Sequence, residues 1–198
     1  LSSFTAIFLL YFLIVVIIKV AVFRMRGEEG GDLKDNWTFP AIFTSYLVAV
    51  MGSLAEFFLR TPEVNPFVSL SGYVLATGGV IITRRCVMTL GRWWSVRIEI
   101  KKGHQVVEEG PYRISRHPYY LATLLELGGL SLILNSFRTL LYIVLVHIPI
   151  LVARISSEER VLSRALSPTY PDYKKRTRVI PLPLRGSLRD TQSRSCSP

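Results

Sequence analysis

Cysteine is nearly absent: Cys86 and Cys196 are the only two in 198 residues. Two distant cysteines make neither a disulfide framework nor a zinc-ligand spacing. Cys196 is third from the end, whereas a prenylation box places its cysteine fourth, so the chain is not itself read as a prenylation substrate. Charge is also scarce, at 19% of residues, and acidic charge is the scarcer kind: 14 Asp and Glu against 24 Lys and Arg, a net charge of +10. A basic excess suits nucleic acid or an anionic membrane surface. No zinc spacing, RNP-like strand or isolated basic helix supports nucleic acid. No Gly-x-Gly-x-x-Gly follows a candidate strand, which removes the soluble Rossmann-type site. There is no internal repeat, and the length suits one domain.

What is abundant is apolar sequence, 49% of residues, gathered into long runs. A membrane-spanning helix needs about 20 such residues, because the hydrocarbon core is about 30 Å thick. Five runs qualify as spans: Phe4 to Phe23, Phe39 to Leu59, Phe67 to Thr83, Tyr119 to Leu134, and Phe137 to Ala153. The first lacks a small-residue cleavage site and is read as a span, not a signal sequence. Arg84 and Arg85 are expected to stop the third. Asn135 and Ser136 alone join the last two into a helical hairpin. A helix is expected from Ala153 to Leu166, ended by Ser167 and Pro168. Ser95 to Ile100 is expected to be extended, and residues 184–198 to be disordered.

Cationic residues orient the bundle. The first loop, the third loop and the tail carry three, eight and ten Lys or Arg, whereas the opposite side carries Arg60 and Arg138. The positive-inside rule puts the amino terminus outside and the carboxyl terminus in the cytosol. The expected fold is therefore all-α, a multi-pass bundle of about five transmembrane helices, with a single domain over residues 1–183.

Chemistry concentrates on the cytosolic side. The stretch from Gly103 to Tyr120 places His104, His117, Arg113, Arg116, Tyr112, Tyr119 and Tyr120 at the mouth of the fourth span. Arg116 and His117 precede a helix whose first N–H groups are unpaired, a setting that suits a carboxylate or phosphate. The same residues also suit an interfacial anchor. A second cluster, Arg154-Ile-Ser-Ser-Glu158-Glu159-Arg160, leaves the fifth span, and the hairpin brings it near Arg116 and His117. Solvated charges beside the bilayer are its alternative reading. Together the clusters fit methyl transfer from a sulfonium, which needs a positioned nucleophile, a bound donor and excluded water. A carboxylate acceptor is already ionised at pH 7 and needs a cation to hold it, which Arg provides in bidentate fashion. Glu126, within the fourth span, faces either a polar cavity or a neighbouring helix.

These pieces occur in order: His104-x-x-Val107, Gly110-x-Tyr112, then Arg116-His117-Pro118-x-Tyr120, the hairpin, Arg154 followed by Glu158-Glu159, and Tyr170 and Tyr173 before Ile180-Pro181. The ordered set, over residues 90–183, resembles the isoprenylcysteine carboxyl methyltransferase family of membrane enzymes. The resemblance implies an S-adenosyl-L-methionine pocket at the cytosolic end of the last two spans. His104, Gln105, Val106 and Val107 would line the adenosine. Tyr112, Arg116, His117, Pro118, Tyr119, Tyr120 and Glu159 would hold the remainder of the cofactor. Arg154 would bind the acceptor carboxylate, with Glu158 as the second catalytic residue. Arg97 stands where eukaryotic members carry glutamine. No metal or nucleic acid is implied. The acceptor would be a prenylated cysteine or a similar lipophilic acid drawn sideways from the bilayer, in the endoplasmic reticulum of a eukaryote or the inner membrane of a bacterium.

Three other functions fit parts of this pattern. Phospholipid amine N-methylation would need a proton acceptor, for which Glu158, Glu126 and His104 are candidates. A sterol reductase would bind NADPH. A non-catalytic multi-pass scaffold would bind no cofactor.

Overall fold

The structure, a computed structural model, describes residues 2–24, 32–33, 37–60 and 63–179. The expected disordered tail, Cys196 and the Ile180-Pro181 pair lie outside these residues.

The apolar runs form α1 (Ser3–Arg24), α2 (Thr38–Arg60), α3 (Pro66–Leu90) and α4 (Pro118–Ile133). Beyond the hairpin, α5 (Phe137–Tyr142), a π-helical turn (Ile143–His147) and α6 (Ile148–Ala165) form one rod of 29 residues. A short α7 (Thr169–Arg176) follows. The rod and helices Ser3–Val22, Thr38–Arg60 and Pro66–Trp93 are long and apolar enough to cross a membrane. With 16 residues, α4 is the short member of the expected five, rising roughly 24 Å at 1.5 Å per residue. Ile7, Leu10 and Ile17 of α1, Leu70, Val74 and Ile81 of α3, and Leu141 and Leu145 of the rod are exposed. Such apolar faces match hydrocarbon, and the chain is an integral membrane protein.

Two expected boundaries shift. Arg84 and Arg85 do not stop α3; both lie on its exposed face, while Cys86 and Val87 remain buried. Val87 packs with Val22 and Trp94, so the apolar face continues to Leu90. The fifth span and the helix expected after it are one continuous rod, because no breaker interrupts residues 150–165 and Leu151, Arg154 and Ser157 stay buried along one face. The extended stretch is real but brief. Strand β2 (Glu99–Ile100) pairs antiparallel with β1 (Asp32–Leu33).

The most extensive helix pair is α3 with α4, and small residues explain it. A Cβ on Gly72 would lie 2.5 Å from the Ile133 backbone N, and one on Gly129 would lie 2.6 Å from the Ala76 N. A Cβ on Gly79 would lie 2.7 Å from the Ala122 carbonyl. Backbones this close are the packing mode of small-residue stripes in membranes. Asn135 closes the hairpin at φ +52°, a conformation Asn tolerates better than most residues. Its amide donates to Ser69 Oγ at 2.8 Å and accepts from the Asn65 N–H at 3.1 Å. Glu56 of α2 accepts from the N–H groups of Arg138 and Thr139 at 3.2 and 3.0 Å, capping the rod. Glu126 faces its neighbours: Lys19 pairs with it from α1, and Thr83 of α3 donates to it at 2.7 Å.

Candidate active site

The site is built where α3 gives way to the loop that leads into α4. Gly91 ends α3 at φ +49°. Trp94, 3% exposed, inserts beside Val22 and Val87 and anchors the chain's return. Trp93 stacks on His104, with centroids 5.0 Å apart at 18°. Gly110 turns the chain at φ +52°, where a Cβ would meet Thr89 Oγ1 at 2.9 Å. The 3-10 turn it opens, Gly110–Arg113, buries Tyr112. Residues 177–179 then lace α7 to this loop. The Arg116 N–H donates to the Arg178 carbonyl at 2.9 Å, Ser115 Oγ to the Val179 carbonyl, and Tyr173 Oη to the Tyr112 carbonyl.

Between the loop and the helix ends lies a cavity of about 960 Å³, the upper end of the usual range for small-molecule sites. His104, Gln105, Val106, Val107 and Tyr112 line one side. Arg116, His117, Tyr119 and Tyr120 line it from the start of α4, and Arg154 and Glu158 from α6. Arg154 is 1% exposed. Its Nη1 donates to Thr38 Oγ1 at 3.1 Å, its Nη2 to the Val96 carbonyl at 3.1 Å, and its Nε to Tyr120 Oη at 3.4 Å. Tyr120 in turn donates to Glu158 Oε2 at 2.8 Å. A guanidinium held by three elements is fixed in place, with its face toward Phe39 at 5.7 Å.

Two of the expected site residues stand elsewhere. Pro118 is the buried first residue of α4 and does not line the cavity. Glu159 lies behind His117, one helical step off the wall, because adjacent residues on a helix diverge by about 100°. Its Oε1 accepts from Arg116 Nε at 2.8 Å and stands 3.4 Å from His117 Nε2, and its Oε2 pairs with Lys174 Nζ at 2.5 Å. Glu159 therefore clamps the wall from outside, and Glu158 is the one of the adjacent pair that faces the cavity.

Burial and the Lys101 ammonium hold His104 below the ordinary histidine value, against the opposing charge of Glu99. Its imidazole is neutral at pH 7. Burial pushes the Tyr112 and Tyr170 phenols up, so both remain protonated donors. His104 Nδ1 and Tyr170 Oη are buried without a hydrogen-bond partner among the described residues. Buried polar atoms are usually satisfied, and both residues line this cavity. Orphaned donors and acceptors beside a Trp93–His104 stack fit a polar, aromatic ligand such as an adenosine.

The far wall was not legible from the motif. Lys19, Phe39, Ile42, Tyr46, His147 and Leu151 complete the cavity. Lys19, Phe39, Ile42 and Tyr46 come from α1 and α2, far from the motif in sequence, whereas His147 and Leu151 precede Arg154 by seven and three residues on the rod. The one available signal was polarity within apolar runs, namely Lys19 and His147.

Comparison with known proteins now bears on these residues. The model of the isoprenylcysteine carboxyl methyltransferase family matches residues 72–164. A probable protein-S-isoprenylcysteine O-methyltransferase of Oryza sativa is 29% identical over 139 residues, covering 67% of this chain and 73% of that protein. The uncharacterized protein YpbQ of Bacillus subtilis is 23% identical over 125 residues, 63% of this chain and 73% of the relative. The cobalt-zinc-cadmium resistance protein CzcN of Cupriavidus metallidurans is 33% identical over 90 residues, 45% of this chain; the chain spans 41% of that protein's length. The family match runs from the α3–α4 seam through the motif loop to the end of the rod, the elements that carry the near wall of the cavity, and leaves out α1, α2 and α7. Over these residues, just under half of its length, the chain is similar to the isoprenylcysteine carboxyl methyltransferase family of membrane enzymes.

Proposed function

We propose that the chain transfers a methyl group from S-adenosyl-L-methionine to the carboxylate of a lipophilic acid, a prenylated cysteine or a molecule like it, at the cytosolic face of its membrane. The observation that carries the reading is Arg154, a buried guanidinium fixed on the cavity wall. Fixed cations at a water-poor site recognise carboxylates strongly. The wall as a whole agrees. Lys19, Arg97, Lys101, Arg116 and Arg154 line it against Glu99 and Glu158. A positive cavity attracts an acid and disfavours the cationic amine of a phospholipid head group.

His104, Gln105, Val106 and Val107 would hold the adenosine, with Trp93 behind the His104 ring. Glu158 would face the cofactor's ammonium, and Tyr112 and His117 its remaining polar edge. When bound there, S-adenosyl-L-methionine supplies an electrophilic methyl: the carboxylate oxygen forms the new C–O bond as the C–S bond breaks and its electron pair passes to sulfur. No proton moves, so no general base is required. Arg154 holds the acceptor carboxylate in line. Tyr120 links Arg154 to Glu158, so acceptor and cofactor ends of the site share one hydrogen-bonded strut. Phe39, Ile42 and Leu151 exclude water.

The test is methyl transfer from labelled cofactor to an S-prenylated N-acetylcysteine, with a phospholipid amine as the competing acceptor. Arg154→Ala is expected to lower kcat/KM by about 100-fold or more, while S-adenosylhomocysteine still binds. Normal turnover by that variant, or preference for the amine, would overturn the assignment.

A further inference from the structure

Methyl transfer as described makes no use of His147, yet its surroundings are built. It sits in the π-helical turn of the rod, 1% exposed, on the wall of the cavity. Such π-turns recur at functional sites. His147 Nδ1 is 3.0 Å from Ser45 Oγ, which is 3.0 Å from Tyr142 Oη. Nδ1 is the ring nitrogen of His147 that has a hydrogen-bond partner among the described residues. If the Tyr142 phenol donates to Ser45 and Ser45 donates to Nδ1, the chain of bonds leaves the proton on Nε2. A histidine's free nitrogen is set by what its other nitrogen does.

The rod places this group relative to the reaction. His147, Leu151, Arg154 and Glu158 follow at helical spacings of four, three and four residues, and all four line the cavity. They form one stripe. Seven residues separate His147 from Arg154, roughly 10 Å along the axis. Lys19 also lines the cavity, and its ammonium stands 5.8 Å from the Tyr46 ring. Tyr46 adjoins Ser45, so Lys19, Tyr46 and His147 mark a polar level deeper than Arg154. A purely hydrocarbon tail passing there would bury an unpaired imidazole N–H.

We propose that His147 is a specificity-determining residue that donates a hydrogen bond from Nε2 to an oxygen carried on the acceptor chain, about 10 Å from the reacting carboxylate. The preferred acceptor is then a lipophilic acid with an ether, carbonyl or hydroxyl in its chain, not an unbroken hydrocarbon. This inference rests on the carboxyl-methylation reading and narrows its substrate class.

Two probes separate the possibilities: an S-prenylated N-acetylcysteine, and its analogue with one ether oxygen in the chain about 10 Å from the carboxylate. The purified full chain in nanodiscs is expected to prefer the ether analogue by about tenfold in kcat/KM, chiefly through KM, the effect of one buried hydrogen bond. His147→Phe is expected to abolish that preference, and His147→Gln, which keeps a donor, to restore part of it. S-adenosylhomocysteine affinity, measured on each variant, confirms that the site is folded. Methylation of both probes without an ether preference, or a preference that survives in His147→Phe, overturns the role of His147 and leaves carboxyl methylation standing. Methylation of neither probe overturns the carboxyl reading and this inference together. Should His147→Phe fail to fold, Ser45→Ala, which removes the bond that fixes the Nε2 proton, is expected to reduce the preference, and an unchanged preference refutes the proposal.

Discussion

Glu159→Gln should separate the clamp behind the site from the chemistry inside it. The carboxylate is 11% exposed and meets three groups: Arg116 (10% exposed), His117 (4%) and Lys174 (45%). The contributions are unequal. Lys174 is nearly half in solvent, and an exposed pair of that kind contributes at most about 1 kcal/mol. Arg116 loses a buried charged partner, typically about 1.5–3 kcal/mol for such a hydrogen bond. It is not stranded, because its Nη1 also donates to the carbonyls of Lys174, at 2.9 Å, and Thr177. A net loss of about 2 kcal/mol is the reasonable centre, roughly 30-fold in an equilibrium constant. Because Arg116 and His117 line the cavity and Glu159 does not, the loss should fall on the cofactor side. Titration calorimetry is expected to show S-adenosylhomocysteine binding weakened about 30-fold, with the acceptor KM nearly unchanged. Lys174→Ala should weaken it by less than about fivefold. Wild-type affinity in Glu159→Gln, or a larger effect from Lys174→Ala, would refute the clamp.

Two further outcomes follow from the same geometry. Gly129→Leu places a side chain where even a Cβ would stand 2.6 Å from the Ala76 N. Overpacking of this kind costs about 1–3 kcal/mol or more, so the thermal midpoint in detergent should fall, whereas Gly128→Leu, with open space at its Cβ, should not shift it. His104 is held below its ordinary value by burial and by Lys101. A base with a depressed folded value favours the neutral state, so its contribution to stability is complete above about pH 6.5 and is lost as the pH falls through the folded value. Unfolding midpoints recorded from pH 7.5 down to pH 5 should show an acid-side decline that His104→Gln flattens.

The sequence spoke clearly where one element sufficed. Apolar runs located the helices, and Asn135-Ser136 located the hairpin, because hydrophobic length and a two-residue break are local properties. The ordered motif also identified the near wall of the cavity, since residues 104–120 and the start of α4 are contiguous. Boundaries failed where burial overrode charge: Arg84 and Arg85 looked like a stop, but α3 turns them outward and continues on Cys86 and Val87. Adjacent residues were the other failure. Glu158 and Glu159 are equivalent on paper, yet a turn of about 100° per residue puts one on the wall and the other behind it. The far wall was out of reach because Lys19, Tyr46 and His147 converge only through long-range packing of α1, α2 and the rod. Beside it, α3 and α4 approach closely along Gly72, Gly79 and Gly129, a small-residue spacing visible in the sequence although it carries no chemistry. The glycine seam therefore bears on the cavity in a physical sense, because it holds α4, whose first turn carries Tyr119 and Tyr120, against α3.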